Sequence, residues 1–360
     1  MSHHISVRQL RSLQLMAILP TTLVFLPGLA FAQSGSSAFY AVTVAGLLAC
    51  GINYGIGWAS DGGSPSRLFR QAWGSACGRC LTALYGAGLM IGAISIWNEL
   101  LIFVNASVLP RTPEWAVGLL IGTVTIVLVD GGIPGVARVT DLLVLGTILL
   151  GVIVLIPALG NIRWNHFVPL YPTTLQPIAA GFWVPTTFLG ESVVGVGFLS
   201  AVRERNPVRL RAAVVAGGML SAGVLAGVIL VVWGTLGAGY AAVLPYPLME
   251  AIRNIRWGEL LSRFDLLFVP LWLGLIALKL AIWVIVSAQS LRSATRIGRP
   301  RLWYIAVVGA TLLPALLGFP TVSGRIAFLK NTWSDGAFPV LGVLIAVSGI
   351  ASRWQRAGAS

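Results

Sequence analysis

Charged side chains are scarce in this sequence. Only 10% of its 360 residues are Asp, Glu, Lys or Arg, whereas 57% are hydrophobic and the mean hydropathy is +0.87. Soluble globular domains carry about 25% charged residues. The composition therefore excludes an ordinary soluble domain and predicts a protein that lies within a lipid bilayer.

Cysteine and histidine are also scarce, with three residues of each. Three cysteines do not make a disulfide framework, which excludes a small cross-linked secreted domain. Cys77 and Cys80 have the spacing of a redox or metal pair, but no second pair and no histidine cluster accompanies them. We therefore predict no metal site and no cofactor.

Long apolar runs dominate the chain, and a helix needs about 20 apolar residues to cross a bilayer. Ten candidate runs lie at 12–32, 38–58, 81–104, 115–130, 139–159, 177–200, 210–236, 264–289, 303–320 and 336–351. The first run ends in a sequence that resembles a signal-peptidase site, but its length and the many later runs favour a retained helix. The sequence predicts an all-α integral membrane protein with about ten transmembrane helices in a single domain, 1–360.

Basic residues outnumber acidic residues by 24 to 11. Such an excess can indicate nucleic-acid binding, but these residues are confined to short loops between apolar runs and form no continuous polar face. If ten helices cross the membrane, 16 of the 24 basic residues fall on one side of it and seven on the other, and Lys279 lies within the membrane. The positive-inside rule then predicts that both termini are cytoplasmic and that the basic loops contact anionic lipid of the bilayer.

Two runs are interrupted at matching positions, five runs apart. Residues 20–22 of the first run and 185–187 of the sixth both read Pro-Thr-Thr, and Gly190 follows the second triplet. Matched interruptions mark the binding sites of transporters that are built from inverted repeats. We predict a five-plus-five inverted repeat with broken first and sixth helices; two ordinary proline kinks are the alternative. The first repeat, the second repeat and a cytoplasmic tail are then 1–159, 160–351 and 352–360.

Three charged residues lie away from the ends of the apolar runs, where a charge costs about 2.5–3.5 kcal/mol on insertion scales. Lys279 lies in the eighth run, Glu99 in the third, and Glu191 directly after the break in the sixth. We predict that they serve ligand recognition or coupling; a structural ion pair or a snorkelling lysine is the alternative. Paired carboxylates also serve hydrolases, but no nucleophile motif accompanies these, so we predict no enzymatic activity.

Several blocks of the sequence resemble the GerAB-type spore-germination permeases. Residues 5–10 and 23–28 are similar to the start of that family, and Glu99 and Glu191 fit its third and sixth spans. The most specific blocks are similar in order and spacing to the family's extracytoplasmic loop and eighth span: Tyr-Pro-Leu-Met-Glu at 246–250, Gly-Glu-Leu-Leu-Ser-Arg-Phe-Asp-Leu-Leu-Phe at 258–268, Trp272 and Lys279. One position departs, because Pro20 stands where the family often has glycine.

The resemblance implies a leucine-transporter-like fold of the amino acid–polyamine–organocation superfamily. It also implies the B subunit of a nutrient germinant receptor, which works with an A-type and a C-type subunit in the cytoplasmic membrane or the inner membrane of the spore. Related sodium-driven folds hold a cation between the first and eighth spans. We expect the ammonium group of Lys279 to take that place and to bind free carbonyls of the first span, so that no metal is required.

The binding site is expected between the first, third, sixth and eighth spans. Half-helix ends there would expose amide donors for a carboxylate and carbonyls for an ammonium group, which suits a small nutrient such as an amino acid. Hydroxyl and aromatic side chains near the breaks would complete the pocket. The predicted ligand-binding residues are Pro20, Thr21, Thr22, Trp97, Trp183, Thr186, Thr187, Gly190 and Trp272.

Three functions remain open on the sequence alone. The first is a germinant-receptor subunit that binds a nutrient and signals through its partners. The second is a transporter that moves an amino acid or a cation with a proton, in which Lys279 or Glu191 titrates. The third is a structural membrane subunit that binds no ligand.

Overall fold

The computed structural model describes residues 4–60, 62–172, 174–255 and 264–357, without the side chains of 150, 153–155, 356 and 357. The elements within these residues are helical, apart from one isolated β-bridge between Ile5 and Val202. Some sequence predictions lie outside the described residues: Arg256 and Arg263 of the charge count, 258–263 of the family block, and 358–360 of the predicted tail.

The helices follow one another through the whole described chain. They are α1 Val7–Ser34, α2 Ala38–Ser60, α3 Pro65–Phe103, α4 Glu114–Asp130, α5 Gly132–Leu159, α6 Gln176–Gly181, α7 Trp183–Leu189, α8 Val196–Leu199, α9 Pro207–Leu236, α10 Ala238–Val243, α11 Pro247–Arg253, α12 Asp265–Thr295, α13 Pro300–Leu317, α14 Val322–Ala327 and α15 Phe338–Ala357. A 3-10 turn, Gly190–Gly195, joins α7 to α8, and a π-helical segment, Phe328–Ala337, joins α14 to α15. The predicted tail, 352–360, therefore begins inside the last helix.

Each of the ten predicted apolar runs overlaps a helix of the structure. Seven helical stretches among the described residues are long and apolar enough to cross a membrane, and the first of them, 7–60, contains both α1 and α2. The sixth run is divided among the short helices α6, α7 and α8. The all-helical class is confirmed, whereas the number of crossings and the division into two repeats stay predictions.

Helix α12 lies at the centre of the structure. Residues 275–288 are buried without interruption, and α3, α4, α5, α1 and α13 pack around the helix. Its contact with α3 is close because Gly92 faces Trp283: a Cβ atom at residue 92 would lie 2.8 Å from Cη2 of the indole. These neighbours shield the middle of α12 from lipid. A charged side chain in a membrane protein is least costly in such a shielded interior.

Helix α1 is continuous through Pro20, so the unwinding expected at 20–22 is not found. Proline leaves a carbonyl of the preceding turn without its backbone donor. Indole groups of α12 supply donors along this stretch: Trp283 Nε1 donates to Ala17 O at 3.4 Å. Trp272 Nε1 donates to Pro20 O at 2.7 Å. These bonds join α12 to α1 on both sides of the proline ring, but neither reaches Met16 O, the carbonyl that the missing N–H of Pro20 leaves without its helical donor.

The sixth segment is interrupted at the end of the stretch 185–190 where the sequence predicts the break. Pro185 lies in the first turn of α7, where the backbone N–H groups have no partner within the helix, so its missing donor breaks nothing. The chain changes from α-helix to the 3-10 turn only at Gly190. The ring of Phe338 packs directly against this glycine, so that a Cβ atom there would overlap it. The interruption follows the glycine rather than the proline.

The first testable prediction concerns the contact between α3 and α12. Gly92→Ala would place a methyl group against Trp283, and overpacking of this kind costs about 1–3 kcal/mol. We expect a lower midpoint of thermal denaturation for the purified protein in detergent. Gly51→Ala is the matched control, because a Cβ atom at residue 51 of α2 meets no atom within 4 Å. Equal losses in the two variants would contradict the close α3–α12 contact.

Candidate functional site

Lys279 lies at the centre of a buried polar cluster. Its side chain is fully buried, and its ammonium group forms an ion pair with Glu191, whose side chain is 4% exposed. The same group donates to Thr21 Oγ1 at 2.5 Å and to Ile18 O at 3.4 Å. An ammonium group has three donors, and these contacts use them all. Lys279 thereby connects α12 to α1 and to the 3-10 turn of the sixth segment.

The backbone around Glu191 is held by side chains from other helices. Gln14 Nε2 donates to Ser192 O at 3.4 Å, and Tyr85 OH donates to Val193 O at 2.9 Å. Irregular backbone in the apolar interior persists only where the protein satisfies its polar groups. These bonds from α1 and α3 hold the turn in place, and with it the carboxylate that faces α12.

Four aromatic rings form a layer beside the cluster. Trp272, which binds the carbonyl of Pro20, has its ring centroid 4.4 Å from that of Phe103. Tyr246 makes edge contacts with Phe103 and with Phe25, at centroid distances of 5.1 and 5.3 Å. The layer joins α1, α3 and α12 to the residue that precedes α11. Trp272 therefore packs between helices and also donates a hydrogen bond.

A cavity of about 290 Å³ adjoins this aromatic layer. It is bounded by α1, α3, α14 and the connection from α10 to α11. Its lining consists of Phe25, Gly28, Leu29, Ala32, Glu99, Ile102, Ala242, Val243, Leu244, Pro245, Tyr246, Val322, Arg325, Ile326 and Leu329. Of the site residues predicted from the sequence, all of which the structure describes, Glu99 alone lines it.

Glu99 on α3 is 4% exposed, and its Oε2 atom has no hydrogen-bond partner among the described residues. Thr21 and Tyr246 are its polar neighbours, and the charges of Lys279 and Glu191 act on it through the apolar interior. One ammonium group and two carboxyl groups therefore share this part of the interior, and the carboxyl group of Glu99 lies on the side of the cavity.

Arg325 on α14 lines the same cavity and forms an ion pair with Glu114 at the start of α4. Its two terminal nitrogens donate to the two carboxylate oxygens at 3.0 and 2.5 Å. The arginine side chain is 6% exposed and the glutamate side chain 32% exposed. A bidentate pair fixes orientation as well as charge. It ties α14 to α4 beside the cavity.

Of the remaining predicted residues, Thr22 contacts the polar cluster only through Ile18 O, the carbonyl that also accepts from Lys279, and the others bond elsewhere. Thr22 Oγ1 donates to Ile18 O at 2.6 Å, and Thr186 Oγ1 donates to Phe182 O at 2.8 Å, both within their own segments. Gly190 begins the 3-10 turn. Three further residues contact other helices or the π-helical segment: Trp183 with Asp335, Thr187 with Ser334, and Trp97 with Thr311.

Sequence reasoning missed most of the residues that enclose the cavity. Phe25 and Gly28 lie in one block that carries the family resemblance, and Tyr246 lies in another, so the resemblance held a signal for them. Gly28 approaches the chain closely enough that a Cβ atom there would lie 2.8 Å from Pro245 O. No local pattern in the sequence predicts the pairing of Arg325 with Glu114 of α4, because the two residues are far apart along the chain.

The second prediction concerns the ion pair. Lys279→Met or Glu191→Met alone leaves a buried charge without its partner, which costs about 3–5 kcal/mol. The double variant removes both charges, and we expect it to regain most of that loss, since apolar replacement of a buried pair is often neutral. Thermal denaturation of the parent, both single variants and the double variant in detergent measures the coupling. Additive losses would mean that the two residues are not coupled.

Comparison with known proteins places the chain in a family. A family model described as "Spore germination protein" matches residues 4–319. A search of curated proteins gives no match. The crystal structure of MhsT in complex with L-phenylalanine matches with a TM-score of 0.67 and 15% sequence identity, over 94% of this chain and 87% of that chain.

An identity of 15% shows the fold alone, and the match confirms the predicted leucine-transporter-like architecture. The family match covers nearly the whole chain and confirms the resemblance that the sequence blocks carried. Together with the long apolar helices, these findings identify a membrane germination permease or transporter. The chain belongs to the spore germination protein family.

Proposed function

We propose that this protein is the membrane-embedded subunit of a nutrient germinant receptor. It binds a small amino-acid-like ligand within the bilayer and triggers spore germination together with an A-type and a C-type subunit. Membership of the spore germination family supports the germination role. The fold neighbour MhsT, whose crystal contains L-phenylalanine, supports an amino acid as the class of ligand.

The observation that carries this proposal is the buried Lys279–Glu191 pair next to a cavity of ligand size. Charges at membrane depth are costly and usually mark ligand or ion sites. Ligand pockets begin at about 300 Å³, and the cavity of 290 Å³ suits a small molecule. A subunit that serves only as scaffold needs neither feature, which argues against the structural alternative.

The proposed signal passes through Thr21. Its hydroxyl accepts a hydrogen bond from Lys279, and it neighbours Glu99, which lines the cavity. A ligand that binds at Glu99 changes the electrostatic potential at the ammonium group of Lys279. The contacts of Lys279 with α1 and with Glu191 of the sixth segment then change in strength. Binding shifts a helix equilibrium only through such a difference in contacts. The partner subunits then respond to the altered arrangement of helices.

The proposed orientation places both termini in the cytoplasm, in the cytoplasmic membrane or the inner membrane of the spore. The loops that carry most of the arginines then contact anionic lipid headgroups. The cavity lies toward the Ser34 end of α1 and so opens on the opposite side of the membrane. The proposed function is recognition and signalling, without an enzymatic step.

A second candidate function is proton-coupled transport of an amino acid or a cation. The observation that favours it is the row of ionisable groups inside the membrane, Glu99, Lys279 and Glu191, because such rows serve as proton relays in transporters. Uptake of a labelled amino acid by reconstituted vesicles under a pH gradient separates the two candidates. Transport favours this alternative, whereas saturable binding without uptake favours the receptor.

The third prediction tests the role of the charge pair in spores. The double variant Lys279→Met with Glu191→Met is expected to accumulate in the spore membrane like the parent, because neither charge is left alone. It should nevertheless fail to respond to nutrient, since the contacts that join α12 to α1 and to the 3-10 turn are gone. Loss of refractility after nutrient addition measures the response. A parental response would remove the charge pair from the function.

The fourth prediction concerns the hydroxyl of Thr21. Thr21→Val keeps the shape of the side chain but removes the acceptor for Lys279, and a hydrogen bond to a charged group contributes about 1.5–3 kcal/mol. We expect the nutrient concentration for half-maximal germination to rise at least about tenfold. Thr140→Val is the matched control, because that buried hydroxyl donates only to Val136 O within α5. Equal effects in the two variants would exclude Thr21 from the signal.

A further inference from the structure

An exposed groove lies between the first turns of α1 and α9, away from the buried polar cluster. Its volume is about 550 Å³, which is within the range of ligand pockets. It is lined by Val7, Arg8, Arg11, Arg209, Ala212, Ala213 and Ala216. Three guanidinium groups from two helices therefore share one groove, and neither the receptor nor the transporter function uses them.

Two of these arginines have an acidic neighbour, whereas the third has none. Arg8 Nη2 donates to Asp141 Oδ2 at 3.3 Å, and Arg209 Nη1 donates to Glu204 Oε2 at 3.1 Å. Each of these contacts uses one of the five N–H donors of its guanidinium group. The exposed side chain of Arg11 forms no hydrogen bond or ion pair with the described residues. The groove thus offers a ligand a surplus positive charge and free donors.

An exposed apolar surface continues from the groove along two helices. On α9, Leu220 and Val224 follow Ala216 at four and eight residues, and residues four apart lie on the same helix face. On α5, Leu145 and Leu149 follow the acidic partner of Arg8 at the same two intervals. All four side chains are exposed, and α1, α5 and α9 pack together. The positive groove therefore lies at one end of an apolar face.

We propose that this groove binds the phosphodiester group of one anionic phospholipid, whose acyl chains lie along the exposed apolar faces of α5 and α9. The planar guanidinium group matches the geometry of phosphate oxygens and binds them in pairs. The three small alanine side chains of α9 leave room for the glycerol backbone of the lipid beside the arginines. A free phosphate ion would use only the arginines, whereas a phospholipid also covers the apolar face.

The net charge of the headgroup decides which phospholipids fit. Phosphatidylglycerol and phosphatidylcholine carry the same phosphodiester group, but the choline cation of the second would lie against the arginines and repel them. The groove therefore favours phosphatidylglycerol. This inference does not depend on the receptor function. It also goes beyond the general attraction of basic loops to anionic lipid, because it assigns one headgroup to one groove.

The test is native mass spectrometry of the purified full-length protein, released from detergent micelles after titration with lipid. The probes are dioleoyl phosphatidylglycerol, dioleoyl phosphatidylcholine and glycerophosphoglycerol, which is the first headgroup without its acyl chains. We expect the parent to retain one molecule of phosphatidylglycerol in preference to phosphatidylcholine. We expect glycerophosphoglycerol at the same concentration to leave that lipid bound, since it cannot cover the apolar face.

Arg11→Gln removes the arginine that has no partner and leaves both ion pairs of the groove intact. Loss of a hydrogen bond between charged groups should weaken the binding of phosphatidylglycerol about 10- to 100-fold. Arg79→Gln is the matched control, because that exposed arginine of α3 donates to Ser75 O within its own helix. It removes the same charge from the protein without changing the groove, so it should bind the lipid like the parent.

Ala212→Trp is a second, independent variant that tests the space in the groove. It places a large ring at an exposed position of α9, leaves all three arginines in place, and should reduce retention of the lipid as strongly as Arg11→Gln. Ala306→Trp is its control, since that alanine is exposed on α13, early in another helix. Thermal denaturation of each variant in detergent without added lipid shows that it remains folded.

Several results would overturn the assignment of a phospholipid. Equal retention of the two lipids, an equal loss in Arg79→Gln, or no retained phosphatidylglycerol on the parent would each exclude a specific headgroup site. Displacement of the lipid by glycerophosphoglycerol would show a site for soluble anions instead. A dimer of the lipid-free parent that Ala212→Trp dissociates would assign the groove to a second copy of the chain.

Discussion

The buried ion pair between Lys279 and Glu191 is the interaction on which the rest of the structure depends. Neither charge has access to water, so each is tolerated only because the other is present and hydrogen bonds complete the shell. The pair requires α12 to be shielded by its neighbours, α1 to present Ile18 O and Thr21, and the sixth segment to turn beside both helices. The ammonium group of Lys279 thus contacts or requires each of these three parts of the structure.

The second constraint is that every backbone group in the apolar interior needs a partner. The protein meets it in two ways at two similar sequences. In α1, which stays continuous, indole groups from α12 donate to carbonyls on both sides of the Pro20 ring. In the sixth segment, Gln14 and Tyr85 bind carbonyls of the 3-10 turn, so the turn persists as irregular backbone. Neither proline-threonine motif breaks its helix: Pro20 lies inside continuous α1, Pro185 lies in the first turn of α7, and the irregular backbone begins at Gly190.

This outcome marks the limit of what the sequence could predict. Hydropathy located the helices, since a bilayer imposes length and composition on each run. The cost of an intramembrane charge pointed to Lys279 before any partner was visible. The side-chain contacts of α1 come from donors more than 250 positions away, such as Trp272. The direction of Trp97, toward Thr311 rather than the cluster, depends likewise on packing between helices that are remote in sequence.

The arrangement of charges is compatible with both proposed functions, a receptor and a transporter. In the proposed function, a ligand bound beside Glu99 acts on Lys279 directly, because little solvent lies between the two side chains to screen the electric field. The ammonium group in turn sets how firmly α1 is held to the turn that carries Glu191. Signalling requires only that this hold change when ligand binds, whereas transport requires in addition that the opposite end of the helices open. Ligand recognition is therefore the first step of both proposed functions, and we propose that it takes place on the Glu99 side of the cluster.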